Sequence, residues 1–96
     1  MLRIERFIPA GEAGAISEKT LATVLNVTRR DVRMLVENAR REGVPICSTC
    51  NPMHGGYYLP LTKREARVYI RMQEHRIASA TACLKAVSDV INNLPE

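Results

Sequence analysis

Five arginines lie close together within residues 28–41, where the acidic residues are Asp31 and Glu37. The stretch therefore carries a net charge of +3. A guanidinium group can pair bidentately with a guanine edge and can also bind phosphate oxygens. We therefore take this stretch as a candidate surface for a polyanion, and nucleic acid is the leading candidate.

A second group with chemical potential is the pair Cys47 and Cys50, followed four residues later by His54. Two thiolates and an imidazole can supply three of the four ligands of a tetrahedral zinc ion. The fourth ligand would have to be Cys83 or His75, which the sequence does not place near them. A structural zinc site normally has two such ligand pairs, and a buried cysteine commonly acts as a small hydrophobic residue. We therefore expect no metal and no cofactor.

Motifs that carry catalysis are not found in the sequence. It contains no G-x-S-x-G, no glycine-rich phosphate loop with a lysine and no H-E-x-x-H. Gly55 and Gly56 fit a hairpin turn, and His75 lies in a polar helical stretch. We therefore expect no catalytic residues, no enzymatic activity and no small-molecule substrate.

Charge is distributed unevenly along the 96 residues, whose net charge is +4. Thirteen of the 14 lysines and arginines lie at or before Arg76, so a basic body precedes a nearly neutral, apolar end. Aromatic residues make up 4% of the chain. This weakens a role in binding RNA or single strands, because such binding depends on aromatic stacking.

Features of membrane or exported proteins are missing from the sequence. No apolar run reaches 18 residues, and the first six residues contain charges where a signal peptide would be apolar. Three cysteines, an odd number, argue against a disulfide framework. We therefore expect a cytoplasmic protein with no membrane partner.

The arginine-rich stretch is predicted to be the second of two helices. Ser17 is a good N-cap for the first helix, near residues 17–25, and Asn26 tolerates the left-handed conformation of a tight turn. Thr28, with Asp31 three residues later, indicates a capping box for the second helix. Its apolar stripe consists of Val32, Leu35, Val36 and Ala39. Two helices joined by a short turn are the helix-turn-helix arrangement.

The segments beside these helices are predicted to be a short helix and a β-hairpin. Residues 2–8 have the apolar spacing of a short helix, and the proline and two glycines after them indicate a flexible connection. Residues 45–49 and 57–60 have the pattern of two short strands separated by turn residues. The hairpin would thus follow the second helix directly.

A long helix is predicted from residue 62 to about residue 92, beginning at a capping box of Thr62 and Glu65. From residue 70 onward, seven of eight heptad positions are apolar, as in a helix-packing seam. The eight positions are Ile70, Gln73, Ile77, Ala80, Leu84, Val87, Ile91 and Leu94. About 30 helical residues span about 45 Å, more than a domain of 60 residues can cover. We therefore expect a homodimer, with an interface of Ile70, Ile77, Ala80, Leu84, Val87 and Ile91.

Residues 2–60 resemble the winged helix-turn-helix domains of the biotin-repressor type and those of small bacterial and prophage DNA-binding proteins. The resemblance lies in ISEKTLA from Ile16, NVTRRDVR from Asn26, REGVPI from Arg41 and GYYL from Gly56. The chain departs from the family at Asn26, where a glycine is usual, and in a longer wing tip.

The resemblance implies that the second helix enters the major groove and that the hairpin is the wing, with its tip at residues 51–55. The fold class is therefore expected to be mainly α with a small β-hairpin (α+β), with a winged helix-turn-helix at 1–60 and a dimerisation helix at 61–96. The expected contacts to double-stranded DNA are Thr28, Arg29, Arg30, Arg33, Glu37, Arg40, Asn51 and His54.

The predicted function is sequence-specific binding of double-stranded DNA by a dimer that acts as a transcriptional regulator or a prophage-type control protein. This hypothesis requires that the arginines of residues 28–41 not be taken up by the protein's own acids. Two alternatives stay open. The chain could be a protein-protein interaction adaptor, or a metal- or thiol-responsive sensor that uses Cys47, Cys50 and His54.

Overall fold

The computed structural model describes residues 3–49 and 55–96, and the chain divides into two compact units, Met1–Ala66 and Arg67–Glu96. The fold is mainly helical, with a small two-stranded antiparallel sheet and a long C-terminal helix. The coarse class predicted from the sequence is thus confirmed.

Two helices joined by a short turn form the centre of the first unit. Helix α1 spans Glu18–Leu25 and helix α2 spans Arg29–Arg41. Between them, Asn26 has a left-handed backbone with φ of 56° and ends α1. Gly43, with φ of 98°, follows the end of α2. Asn26 was predicted to occupy the tight turn after the first helix, and this prediction is confirmed.

The first turns of both helices are closed by side-chain caps. The backbone N–H of Thr20 donates to Ser17 Oγ at 3.0 Å, which caps α1. In α2, the N–H of Asp31 donates to Thr28 Oγ1 at 3.0 Å, and the N–H of Thr28 donates to Asp31 Oδ2 at 3.1 Å. The predicted capping box is therefore present with both of its hydrogen bonds.

The hydrophobic core lies where α1, α2 and the first described residues meet. A four-residue 3-10 turn, Ile4–Phe7, replaces the short helix predicted over residues 2–8. The buried residues of this core are Ile4, Ile8, Leu21, Ala22, Val32, Val36, Ala39 and Ile46. Three of the four predicted stripe residues of α2 are among them, and Leu35 is half-buried at the margin of the core.

The predicted β-hairpin is present but shorter than expected. Strand β1 spans Cys47–Thr49 and strand β2 spans Gly56–Tyr58, paired antiparallel with Cys47 opposite Tyr58. Residues before β1 are turned, because the N–H of Ile46 donates to the carbonyl of Val44 at 2.9 Å. Leu59 was predicted to extend the second strand, but its backbone pairs with another segment.

That segment is residues 9–16, which we call the strap. The N–H of Leu59 donates to the Pro9 carbonyl and the N–H of Gly11 donates to the Leu59 carbonyl, both at 2.8 Å. Ile16 and Tyr57 exchange two hydrogen bonds of 2.9 and 2.7 Å. The expectation of a flexible connection here is therefore wrong, because the strap is hydrogen-bonded to β2 and the residue after it.

Glu65 adds a side-chain anchor to the strap. Its N–H donates to Thr62 Oγ1 at 3.2 Å, as the predicted capping box requires. Its carboxylate accepts from the N–H of Leu61 at 2.8 Å and from the N–H of Glu12 at 3.0 Å. These hydrogen bonds, that from Leu61 above all, lower the pKa of Glu65.

Helix α3 spans Lys63–Val90 and a 3-10 turn, Ile91–Asn93, follows it. The predicted end near residue 92 is therefore close to the observed one. In the second unit, every residue from Glu74 to Glu96 is exposed. In the described part of the chain, no helix combines the length and apolar character needed to cross a bilayer.

Candidate nucleic-acid interface

The exposed side of α2 begins with the arginines selected from the sequence. Arg29, Arg30 and Arg33 lie in the first five residues of the helix and are exposed. The opposite side is buried through Val32 and Val36. The side chain of Thr28 is engaged in the helix cap, where its hydroxyl accepts a hydrogen bond. The first turn of α2 is therefore fixed in the chain and presents its guanidinium groups outward.

Glu18 of α1 contacts two of these arginines. Arg29 Nε donates to Glu18 Oε1 at 2.9 Å, and Arg33 Nε donates to Glu18 Oε2 at 3.1 Å. The Glu18 side chain is 19% exposed, whereas those of Arg29 and Arg33 are 62% and 64% exposed. One carboxylate thus holds two guanidinium groups by their Nε edges while most of each arginine surface stays in solvent.

Burial and the charges of this cluster shift the pKa values of Glu18 and Tyr57. Burial acts to raise the pKa of Glu18, but the hydrogen bond from Arg29 and the charge of Arg33 outweigh it. The pKa of Glu18 therefore lies below its ordinary value, and the carboxylate is ionised at neutral pH. Burial, with Glu18 beside it, raises the pKa of Tyr57, so this phenol stays neutral.

The requirement that the arginines be unpaired is therefore met only in part. Arg29 and Arg33 share the single negative charge of Glu18, so the three arginines and this carboxylate together carry a net charge of +2. Arg30 is exposed and takes no part in these two ion pairs. The contact of Glu18 with Arg29 and Arg33 was not predicted from the sequence, because it depends on how α1 packs against α2.

The remaining predicted contacts on α2 are engaged differently. Arg40 Nε donates to the carbonyl of Ile46 at 2.9 Å, just before strand β1. Glu37 Oε1 accepts from Arg41 Nη2 at 2.7 Å, one helical turn away. Arg40 therefore links the second half of α2 to the hairpin, and Glu37 lies in an exposed ion pair.

A cleft of about 390 Å³ lies between the helices and the hairpin. Polar and basic residues of all four neighbouring elements border it, among them Lys19, Arg29, Arg40, Ser48 and Thr49. Lys19, Ser48 and Thr49 were not selected from the sequence. Their sole signal there was proximity to predicted helix and strand termini, which is too common a feature to select residues.

Two of the predicted wing residues, Asn51 and His54, lie outside the described residues, and so does Cys50. Cys47 is buried, its Sγ lies 3.9 Å from the Pro45 carbonyl, and burial raises its pKa. Within residues 3–49 and 55–96, no three His, Cys, Asp or Glu side chains come together as a set of metal ligands.

The predicted interface residues, five in α3 and Ile91 in the 3-10 turn after it, are all exposed. Ile70, Ile77, Leu84, Val87 and Ile91 have exposed fractions between 53% and 69%, and Ala80 is exposed as well. Every residue of α3 is described by the structure, and none of its side chains is buried. Three large apolar side chains, Ile77, Leu84 and Val87, are thus exposed in the distal half of the helix.

Comparison of the chain with protein-family models, with curated proteins and with solved structures finds no match in any of the three.

Proposed function

We propose that this chain binds double-stranded DNA through a winged helix-turn-helix of the biotin-repressor type. Helix α2 enters the major groove and the β1–β2 hairpin acts as the wing. One observation carries the proposal: a capped helix with a buried apolar side presents Arg29, Arg30 and Arg33 within its first five residues. The first residues of the second helix are those that meet base edges in helix-turn-helix proteins.

The cleft between α1, α2 and the hairpin supports a role for the backbone phosphates. Lys19, Arg29 and Arg40 bring three positive charges to it against the one negative charge of Glu18. Ser48 and Thr49 bring hydroxyl groups. Such side chains are typical phosphate contacts, which fix the register of a protein on the duplex. The link from Arg40 to the Ile46 carbonyl holds the hairpin against α2 and thereby fixes the position of the cleft walls.

Glu18 does not remove the arginines from this function. Exposed ion pairs contribute only about 0–1 kcal/mol, so an incoming phosphate or guanine can compete with the carboxylate. Because Glu18 binds the Nε edges, the terminal nitrogens of Arg29 and Arg33 can reach a ligand while the pair persists. Glu18 then limits the rotamers of both side chains before DNA arrives, which lowers the entropic cost of ordering them.

Self-association is the second part of the proposal. The exposed seam of α3 would be covered in a homodimer, and two copies would present two α2 helices to two half-sites of an operator. Such a protein would act as a transcriptional regulator or as a prophage-type control protein.

A duplex-binding titration tests the DNA proposal. We expect Arg29→Ala/Arg33→Ala to weaken binding and to make the salt dependence of the binding constant shallower, by about 1 unit of slope for each phosphate that the variant no longer binds. Arg41→Ala is the matched control, because Arg41 lies at the far end of α2 in an ion pair with Glu37. Equal affinities of the wild type and the double variant would remove α2 as the recognition helix.

The adaptor alternative is favoured by the exposed seam of α3 and by the partial neutralisation of Arg29 and Arg33. The adaptor alternative predicts no salt-dependent binding to a duplex, whereas the DNA proposal predicts binding that weakens steeply as the salt concentration rises.

The sensor alternative predicts that zinc or an oxidant changes the affinity for DNA through Cys47, Cys50 and His54. The same titration with and without zinc or oxidant separates these functions.

A further inference from the structure

The distal part of α3 is a regular helix whose residues are all exposed. Exposure is continuous from Glu74 onward, and the α-helix continues to Val90. Ile77, Leu84 and Val87 are 63%, 69% and 57% exposed within it. An isolated helix of this length is marginal in water, because helices in proteins depend mostly on packing of an apolar face. Residues 74–90 therefore need a partner surface.

The four seam positions of this segment are spaced symmetrically about its middle, as in any heptad seam, so the spacing permits either orientation of a partner helix. Residue 82 is the midpoint of residues 74–90. Ile77 and Val87 each lie five residues from it, and Ala80 and Leu84 each lie two residues from it. The seam therefore has the same spacing when the helix is traversed in the opposite direction.

We infer that two copies of the chain pair through residues 74–90 of α3 in antiparallel orientation, with the two-fold axis at the level of residue 82. This inference rests on the self-association proposed above and specifies its geometry. Ile77 of each copy then packs on Val87 of the other, and Ala80 packs on Leu84 of the other. Each layer of the seam thereby joins one side chain from each half of the segment.

Side-chain size favours this orientation over the parallel one. In an antiparallel pair, the small Ala80 lies opposite the large Leu84, so every layer is filled. A parallel pair would place Ala80 opposite Ala80 and Leu84 opposite Leu84, which leaves the alanine layer underfilled. Even filling of the layers is what a tightly packed helix interface requires.

Charge favours the same orientation. Residues 63–76 contain five basic and two acidic residues, a net charge of +3, whereas residues 77–96 contain one basic and two acidic residues, a net charge of −1. An antiparallel pair brings the basic end of one helix toward the weakly acidic end of the other. A parallel pair brings the two basic ends together, which costs free energy.

The orientation also decides which residues flank the seam across the interface. Cys83, which is free and exposed, lies directly beside the seam residue Leu84. In an antiparallel pair, positions on the same flank face each other, so Cys83 lies beside Cys83 of the second copy, and Glu74 lies near Ser88 of the second copy. In a parallel pair, opposite flanks face each other, and neither contact forms.

Disulfide cross-linking tests the register, on protein whose association is first measured by sedimentation. In a Cys50→Ser background, mild oxidation should link the dimer through Cys83. In a Cys50→Ser/Cys83→Ser background, chains with Glu74→Cys and chains with Ser88→Cys should each stay uncrosslinked. A mixture of the two should give the heterodimeric disulfide, identified by intact mass.

Each outcome decides between the hypotheses. A dimer that does not link through Cys83, or that links two Glu74→Cys chains, would overturn the antiparallel register and leave dimerisation intact. A monomer at tens of micromolar would overturn the dimer and the register together. A tetramer would overturn the two-chain pairing. None of these results bears on the affinity of α2 for duplex DNA, which the arginine variants measure separately.

Discussion

At the scale of single residues, Glu18 carries the most information about the candidate site. Its carboxylate joins α1 to the first turn of α2 through Arg29 and Arg33, at 2.9 and 3.1 Å. It orders the two guanidinium groups and removes one unit of positive charge from the surface. The ordering favours DNA binding and the loss of charge disfavours it. For folding, the two ion pairs are stabilising.

Because the pKa of Glu18 is lowered in the folded state, its ion pairs stabilise the protein above the pKa of the unfolded chain. That contribution is lost as the pH falls through the folded pKa. We expect Glu18→Gln to lower the free energy of unfolding at pH 7 by up to about 1 kcal/mol, since both arginines are exposed. At pH 3 the difference should be much smaller. Urea unfolding at both pH values measures it.

Glu37→Gln is the control for Glu18→Gln, because Glu37 is 62% exposed and its ion pair is with one arginine, Arg41. Its effect on stability at pH 7 should be smaller. A Glu18→Gln variant as stable as the wild type at pH 7 would show that the cluster contributes nothing to folding.

Gly56 is a second residue with a defined physical role. Its φ is 151°, and a Cβ there would overlap the backbone carbonyl of Ile16. We expect Gly56→Ala to destabilise the protein by about 3 kcal/mol or more, since backbone strain and overpacking add. Thermal unfolding measures this loss.

Gly43→Ala is the matched comparison for Gly56→Ala. Gly43 also has a positive φ, 98°, but an added Cβ there meets no atom of the described residues within 4 Å. Its cost should be that of the backbone conformation alone, about 1–2 kcal/mol. Equal losses for the two variants would show that the close approach of Ile16 to Gly56 is unimportant.

At the scale of elements, the helix that carries the arginines is held in place by its cap. The capping box of Thr28 and Asp31 fixes where α2 begins, and therefore which arginines occupy its first turn. The cap and the candidate site are thus coupled, since a frayed first turn would release Arg29 and Arg30.

We expect Thr28→Ala to lower the free energy of unfolding by about 1 kcal/mol, the usual cost of losing an N-cap. Thr23→Ala is the control. Thr23 lies inside α1, is exposed, and its hydroxyl bonds to the Lys19 carbonyl within the same helix. Alanine suits a helix interior, so this variant should be neutral or slightly stabilising. Guanidinium unfolding followed by circular dichroism distinguishes the two.

The features of these elements that the sequence predicted correctly depend on neighbouring residues. The caps at Ser17 and Thr28 and the stop at Asn26 depend on residues at most three positions apart, and the structure has all of them. The strap was misjudged because its partners, Tyr57 of β2 and Leu59 just after it, lie about 40 to 50 residues later. A pattern of proline and glycine indicates a turn but not what the turn is bonded to.

The candidate site shows the same division. The exposed arginines of α2 follow from a helical period, which leaves one side for the core. Their contact with Glu18, the cleft with Ser48 and Thr49, and the bond from Arg40 to Ile46 all depend on packing between elements. No spacing rule within a single helix contains that information.

At the scale of the whole molecule, the DNA contact and the self-association that we propose lie in different units. The first unit contains the core, the hairpin and the arginines of α2, and the second presents an apolar seam whose residues are all exposed from Glu74 onward. In the proposed dimer, the second unit raises the affinity for DNA by joining two recognition helices, because the second contact then occurs at a high effective concentration.

We therefore expect Leu84→Asp/Val87→Asp to produce a monomer whose first unit remains folded, and to weaken operator binding at least tenfold. Charges at the seam would be buried without partners in a dimer, which disfavours association. Ser79→Asp/Ala82→Asp is the matched control, because both positions lie off the seam on the same helix. Sedimentation and duplex titration of both variants measure the two effects.

If sedimentation gives the wild type and Leu84→Asp/Val87→Asp the same association state, the assigned seam is contradicted. If both variants lose association equally, added negative charge rather than position is the cause, and the seam must be reassigned.

The hydrogen bonds between the strap and the end of the hairpin have a consequence for biosynthesis. Residues 18–41 can fold as a pair of helices once both have left the ribosome, since α1 and α2 are neighbours in sequence and pack on each other in the core. Residues 9–16 cannot form their backbone hydrogen bonds until their partners, Tyr57 and Leu59, have left the ribosome. A stalled nascent chain that exposes fewer than about 60 residues should therefore contain α1 and α2 packed together while residues 9–16 are not yet hydrogen-bonded. We expect a protease to cleave such a chain first within residues 9–16.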